Sequence, residues 1–179
     1  MGNHSNNAEN QLVKECIYTS LTTLMKSQEF RDITITEIAR KAGVSRMAYY
    51  RNYGSKEEIL TGYLDDLFQI YFNELVEHDK IDVYQFTYKF FVYFRKNKTL
   101  ILNLIRANLS LLILDRFDIY LSSIFMKLIN RYPPTKSDTL YMHFLAGGLY
   151  KVFIEWIKNG LKESDEEMTA FMLMNYHML

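Results

Sequence analysis

The chain has 179 residues, 49% of them hydrophobic and 15% aromatic, which sets it apart from disordered proteins and supplies apolar surface for a sizeable core. Its 21 basic and 21 acidic residues cancel, which excludes a general polycationic nucleic-acid binder. A single cysteine, Cys16, excludes an intrachain disulfide and a cysteine metal cluster and fits a cytoplasmic protein. No apolar run reaches the length of a membrane span.

The polar opening, MGNHSNNAEN, lacks the charged-then-apolar order of a signal peptide and reads as a flexible arm over residues 1–9. From Asn10 to Gln28, the residues Leu12, Cys16, Ile17, Leu21, Leu24 and Met25 recur at three and four positions, the pattern of an amphipathic first helix. Cys16 is read there as a small buried side chain. Phe30 and Ile33 close the same small core.

Next comes ITITEIARKAGVSRMAYYRNYGSKEEIL, residues 33–60. Thr34 and Glu37 form a capping box, in which each side chain satisfies the other residue's orphan N–H. Ile35, Ile38, Ala39 and Ala42 make the buried stripe of a short helix that Gly43 ends through a left-handed turn. Ser45 caps a second short helix, Arg46 to about Asn52, and Ser55 with Glu58 opens a third. Small residues at the corner let the first two helices cross closely, as in a helix-turn-helix, and a helix as short as the second suits a major groove. Between Arg31 and Lys56 six basic residues face two acidic ones, a local charge of +4, so the rest of the chain carries −4. Such a distribution suits a protein that meets phosphates with one end only.

The third helix continues through Tyr63, Leu67, Ile70, Tyr71 and Leu75 to about Glu77, with a polar break at Asp79 and Lys80. Asp82 caps an aromatic helix to about Lys96. Asn97 ends it, and shorter and longer helices follow over residues 100–107 and 111–130. Tyr132-Pro133-Pro134 marks a loop. Ser137 or Asp138 then caps a helix over residues 139–159, Gly160 ends it, and Ser164 with Glu167 opens the last helix.

The residues Thr34, Ile38, Ala39, Ala42, Gly43, Val44, Ser45, Tyr50, Tyr53, Ser55, Lys56, Glu57, Glu58 and Leu60 together resemble the TetR-type bacterial transcriptional regulators, strongly over residues 10–60 and in size and helical character beyond. Ala48, Asn52 and Tyr53 depart from the residues common there (threonine, histidine and phenylalanine). The resemblance implies an all-α fold in which a DNA-binding helix-turn-helix domain, 10–54, is joined by a long helix to a ligand-binding and dimerisation bundle, 55–179. It also implies a homodimer that regulates transcription, as a repressor or an activator, by binding a near-palindromic operator under the control of a small-molecule or protein effector. Arg46 and Arg51 have the guanidinium geometry for guanine edges and phosphates. Met47 shares their helix, and Ser45, Thr34, Tyr50 and Lys56 complete the expected DNA-facing set, the last two by resemblance. Tyr49 is assigned to the core.

Two further sets are expected in the body. Phe68, Phe72, Phe90, Tyr93, Phe94, Phe117 and Tyr120, with Asn103 and Arg106 as polar residues among apolar ones, are candidates to line an effector cavity; aromatics at this spacing also build plain core. Phe144, Gly147, Gly148, Lys151, Val152, Trp156, Phe171 and Met174 are candidates for a four-helix dimer interface. Gly147 and Gly148 each cost a helix roughly 1 kcal/mol, which a close helix approach would offset. His143 has no second ligand at chelating spacing, and neither a cofactor nor a metal is implied. No phosphate-cradling loop, zinc signature or nucleophile elbow points to an enzyme. The alternatives are a coactivator of the same fold acting through another regulator, and a small helical enzyme using the aromatic cavity.

Overall fold

Two capping pairs read from the sequence, Thr34–Glu37 and Ser164–Glu167, open helices as expected. The computed structural model describes residues 2–76, 82–129 and 133–176. Among these the chain is all helical: α1 (Gly2–Leu24), a 3-10 turn (Phe30–Asp32), α2 (Ile35–Ala42), α3 (Arg46–Tyr50), α4 (Lys56–Val76), α5 (Val83–Lys96), α6 (Lys98–Arg106), α7 (Leu111–Ile129), α8 (Lys136–Lys158) and α9 (Asp165–Tyr176). None of these helices is long and apolar enough to cross a membrane.

Several boundaries differ from expectation. Helix α1 begins at Gly2, so the stretch read as an arm is helical. Helix α8 begins three residues early because Thr135, not Ser137 or Asp138, is its cap. Thr135 Oγ1 accepts from the Asp138 N–H at 3.2 Å, and the Asp138 carboxylate accepts from the Thr135 N–H at 2.7 Å. At α4 the box is not reciprocal: Ser55 Oγ accepts from the Glu58 N–H at 3.3 Å, but Glu58 accepts from Gly54 at 2.7 Å. The expected breaks at Asp79–Lys80 and Tyr132 lie outside the described residues.

The chain forms two compact units. The first is Met1–Tyr63 with Asn103–Leu109. Its buried residues include Ile17, Leu21, Phe30, Ile33, Ile38, Tyr49, Ile59, Leu60 and Leu104. Tyr18 stacks on Tyr63 with ring centroids 3.6 Å apart. The second unit is Leu64–Leu102 with Ser110–Leu179, so the division falls inside α4 rather than before Ser55. There α7 packs on α8 and α5 on α9. Its centre is aromatic: Phe94 lies 4.6 Å from Phe90, 5.2 Å from Phe68 and 5.3 Å from Phe153 between ring centroids. Edge-to-face and tilted packing of this kind adds stabilisation beyond area burial.

Arg95 holds the corner between α8 and α9. Gly160 and Leu161 both adopt left-handed backbone, φ +84° and +58°, a conformation a leucine enters at a cost. The Arg95 guanidinium donates to Leu161 O at 2.9 Å, Glu163 O at 2.6 Å and Asp165 Oδ1 at 2.8 Å, and lies 4.8 Å from the centre of the Trp156 ring. Charge-assisted bonds to carbonyls and a carboxylate offset the local strain. Arg95→Ala is expected to cost about 2–3 kcal/mol, a fall in Tm of about 5–10 °C. Thermal unfolding followed by the fluorescence of Trp156, the one tryptophan, checks it; a shift below about 1 °C would contradict this role.

Candidate functional site

Helix α3 has five residues, too few to be stable by themselves. Its start is fixed by Ser45, whose Oγ accepts from the Ala48 N–H at 3.0 Å. Its end is fixed by Asn52, whose Nδ2 donates to Ala48 O at 2.8 Å. The preceding turn is closed by Gly43 at φ +68°, with the Val44 N–H donating to Ala39 O at 3.0 Å. Tyr49 is wholly buried and sits edge-on to Tyr50, 5.4 Å between centroids. Burial pushes its phenol well above the ordinary tyrosine range, so it stays neutral.

With Tyr49 turned inward, α3 presents Arg46, Met47 and Tyr50 outward, and Arg51 follows them, all four exposed. Met47 is 78% exposed and Tyr50 50%, which is much for an apolar and an aromatic side chain on so short a helix. The Arg46 guanidinium lies 6.0 Å from the centre of the Tyr50 ring. Arg40 and Lys41, at the end of α2, are also exposed. The surface is a basic rim around an apolar tip, and it offers donors to phosphate and base edges and a thioether to a thymine methyl.

Two members of the expected set are engaged internally. Lys56 Nζ donates to Phe30 O, Ile33 O and Arg31 O at 2.6, 2.9 and 2.8 Å and stands 4.8 Å from the centre of the Phe30 ring. An ammonium has three donors, so in this geometry Lys56 ties the 3-10 turn to α4 and has no donor for phosphate. Thr34 Oγ1 donates to Glu37 Oε2 at 2.7 Å and accepts from the Glu37 N–H at 3.2 Å. The Thr34 hydroxyl and, at 2.8 Å, the Thr34 backbone N–H both donate to the Glu37 carboxylate and hold it below its usual range. Ser45 Oγ, which accepts its cap bond, retains a proton to donate.

The second unit contains a cavity of about 130 Å³ between α4, α5, α7, α8 and α9. Phe68, Phe72, Phe86, Phe90, Phe117 and Tyr120, all aromatic, line it, with Tyr71, Met142, Leu145, Leu149 and Met172 among residues the sequence alone does not assign to it. Tyr93, Phe94, Asn103 and Arg106 do not line it. Tyr93 gives its hydroxyl to Leu67 O at 3.1 Å, and Phe94 is fully buried in the ring cluster. Asn103 and Arg106 belong to the first unit, one buried and one exposed. Beside the cavity Tyr120 stacks on Phe68, centroids 5.2 Å apart. One turn away on α7, Arg116 donates to Asp65 of α4 in a close ion pair.

Of the expected interface residues, Trp156 is excluded from any exposed face. It is 3% exposed and donates its Nε1–H to Glu163 O at 3.2 Å. The wide apolar surface of α8 divides in two: Met142, Leu145 and Leu149 face the cavity, while Phe144, Gly148 and Lys151 are exposed on the other side with Leu140. Gly147 and Val152 are half-buried at its margins. On α9, Phe171 and Met174 are 49% and 73% exposed.

Comparison with known proteins agrees with this architecture. Residues 17–62 match the family model described as bacterial regulatory proteins, tetR family, and residues 81–176 match one described as transcriptional regulator C-terminal region. The HTH-type transcriptional regulator AlkX of Mycobacterium tuberculosis (strain ATCC 25618 / H37Rv) is 29% identical over 56 residues, 31% of this chain; the match spans 26% of AlkX. A TetR transcriptional regulator from Streptococcus agalactiae 2603V has a similar fold (TM-score 0.64, 19% identity, 96% of this chain and 97% of that one covered). So does a TetR-family regulator from Syntrophomonas wolfei str. Goettingen (TM-score 0.67, 16% identity, 94% of each chain). The dihydroxyacetone kinase operon activator DhaS aligns with a TM-score of 0.59 at 18% identity, over 90% of this chain and 92% of its own. The matches cover both the N-terminal helix-turn-helix and most of the helical body, and the chain belongs to the tetR family of bacterial transcriptional regulators, with its DNA-binding domain at the N-terminal end.

Proposed function

We propose that the protein acts as a homodimer on a near-palindromic operator, each protomer laying α3 in one major groove, and that an effector held in the cavity of the second unit changes operator affinity. The observation that carries the DNA half is the display on α3. Tyr49 is buried, so Arg46, Met47 and Tyr50 point outward, with Arg51 beside them. In this reading Arg46 and Arg51 meet guanine edges or phosphates, Met47 meets an apolar base edge, and Tyr50 and Ser45 donate to the backbone. Lys56 supports the site from behind.

The dimer half is supported by the exposed stripe on α8 and α9. A Cβ added at Gly147 or Gly148 meets nothing within 4 Å. Packing within the protomer therefore does not require these glycines, although each costs helix stability. A second copy pressed against α8 gives them a purpose, and two-fold pairing makes the patch self-complementary. Two protomers so joined would present two α3 helices, which must match a groove repeat of about 34–36 Å or its multiples.

Coupling is assigned to α4, which begins in the first unit and continues into the second. Asp65 on α4 binds Arg116 on α7, the helix that supplies Phe117 and Tyr120 to the cavity wall. A guest that binds the two dispositions of α4 unequally shifts the operator equilibrium; one that binds them equally does nothing.

Three outcomes follow. Arg46→Ala weakens operator binding about 5- to 150-fold, whereas Lys56→Met lowers Tm and leaves the salt dependence of binding unchanged; fluorescence anisotropy across a salt series separates them, and a slope reduced by about one charge in Lys56→Met would restore it to the phosphate-contacting set. Phe144→Asp turns the dimer into a monomer in sedimentation velocity with its helicity retained; an unchanged dimer would move the interface elsewhere. Arg116→Gln keeps operator affinity but blunts the response to effector, and a full response in that variant would remove the ion pair from the coupling.

A further inference from the structure

The cavity wall specifies the kind of molecule it takes. We propose that the effector is a small, uncharged aromatic compound of one or two rings, held by ring packing and without an ion pair. This rests on the effector reading above and adds the chemical class.

None of the described side chains lining the cavity carries a charge. A carboxylate or ammonium entering it would shed its hydration shell with no counter-ion among the described lining residues to replace it, which is unfavourable. The hydroxyls are also largely committed. Tyr71 Oη donates to Phe86 O at 2.8 Å and Thr87 Oγ1 to Val83 O at 2.8 Å. Tyr120 stands next to an ionic group, and there Arg116 is already paired with Asp65. What the wall does offer is rings. Phe68, Phe72, Phe90, Phe117 and Tyr120 present faces and edges from three helices, the arrangement that favours offset or edge-on packing of a further ring.

Size points the same way. At about 130 Å³ the space approaches that of an engineered apolar cavity of about 150 Å³ that stays dry and accepts benzene. Extended drug-sized ligands need about 300 Å³ or more. Met142 and Met172 in the lining are flexible thioethers that adapt to ring edges, which extends the range to two fused rings. The guest and a second protomer do not compete, because the cavity takes one side of α8 and the exposed stripe the other.

The test uses the full-length protein and two matched sets of probes: toluene and naphthalene as neutral arenes, benzoate and benzylammonium as charged counterparts. At about ten times its dissociation constant a neutral arene should raise Tm by about 3–5 °C, and the charged probes should leave it unchanged. Leu145→Phe and Thr87→Leu, which fill the cavity, should abolish the arene shift. Should both variants fail to fold, nuclear Overhauser transfer from toluene to the Met142 and Met172 methyl groups of the wild-type protein locates the guest; transfer only to methyl groups elsewhere overturns the proposal. It is likewise overturned if saturating toluene and naphthalene both leave Tm unchanged, or if benzoate or benzylammonium binds as well as toluene. Operator affinity measured on the same samples keeps the two readings apart. Arene binding with unaltered operator affinity upholds the ligand class and removes the effector role. Normal operator binding without arene binding removes the ligand class and leaves the DNA reading intact.

Discussion

A helix of five residues has no stability of its own, and the rest of the first unit exists to give α3 a shape. Three constraints act together: a hydroxyl cap at Ser45, a buried ring at Tyr49, and the Asn52 amide closing the last turn. Lys56 adds a fourth from outside the helix by gathering three carbonyls of the Phe30–Ile33 segment. With the Tyr49 ring buried and the Ser45 hydroxyl, the Asn52 amide N–H and the Lys56 ammonium bonded within the fold, the outward groups are displayed in one fixed arrangement. That is what reading a groove demands, since discrimination between base edges comes from placement more than from total attraction. It also shows how a chain of zero net charge serves a DNA-binding domain: the excess of four positive charges between Arg31 and Lys56 is balanced by four negative ones elsewhere.

The body follows a different logic. Its aromatic side chains build both the core and the cavity, and α8 serves two surfaces at once. One side closes over the cavity through Met142, Leu145 and Leu149, and the other shows Leu140, Phe144 and Gly148 to solvent. Arg95 fixes the corner between α8 and α9 by stabilising a leucine in left-handed backbone. In the proposed reading that corner sets how two protomers meet, so a single guanidinium bears on the spacing of the two α3 helices.

Much of this was legible in the sequence, for reasons that differ by residue. Capping boxes are local, so Thr34–Glu37 and Ser164–Glu167 could be read from spacing and both form. Thr135–Asp138 has the same signature, but Ser137 and Asp138 offer competing caps beside it, and spacing alone does not choose among them. The inward place of Tyr49 followed from its position in the motif. Which side of α8 faces inward is not legible, because a helix apolar over most of its circumference has no single periodic stripe, and the burial of Trp156 does not follow from the pattern for that reason. Lys56 was set against phosphate by resemblance; its three carbonyl partners lie 23 to 26 residues away, beyond any local pattern. Asn103 and Arg106 sat among apolar neighbours, but α6 contributes its end to the first unit, a placement only the tertiary fold decides.

The central claim is that two α3 helices, one from each protomer, occupy successive major grooves on one face of a duplex. Hydroxyl-radical footprinting on a sequence selected from a random DNA pool tests it most directly, with the stoichiometry of the same complex taken by light scattering. The account predicts two symmetry-related protected patches centred about one helical turn, or a whole number of turns, apart, bound by two protomers or by a pair of such dimers. A single unpaired patch, or protection by one protomer alone, would contradict it.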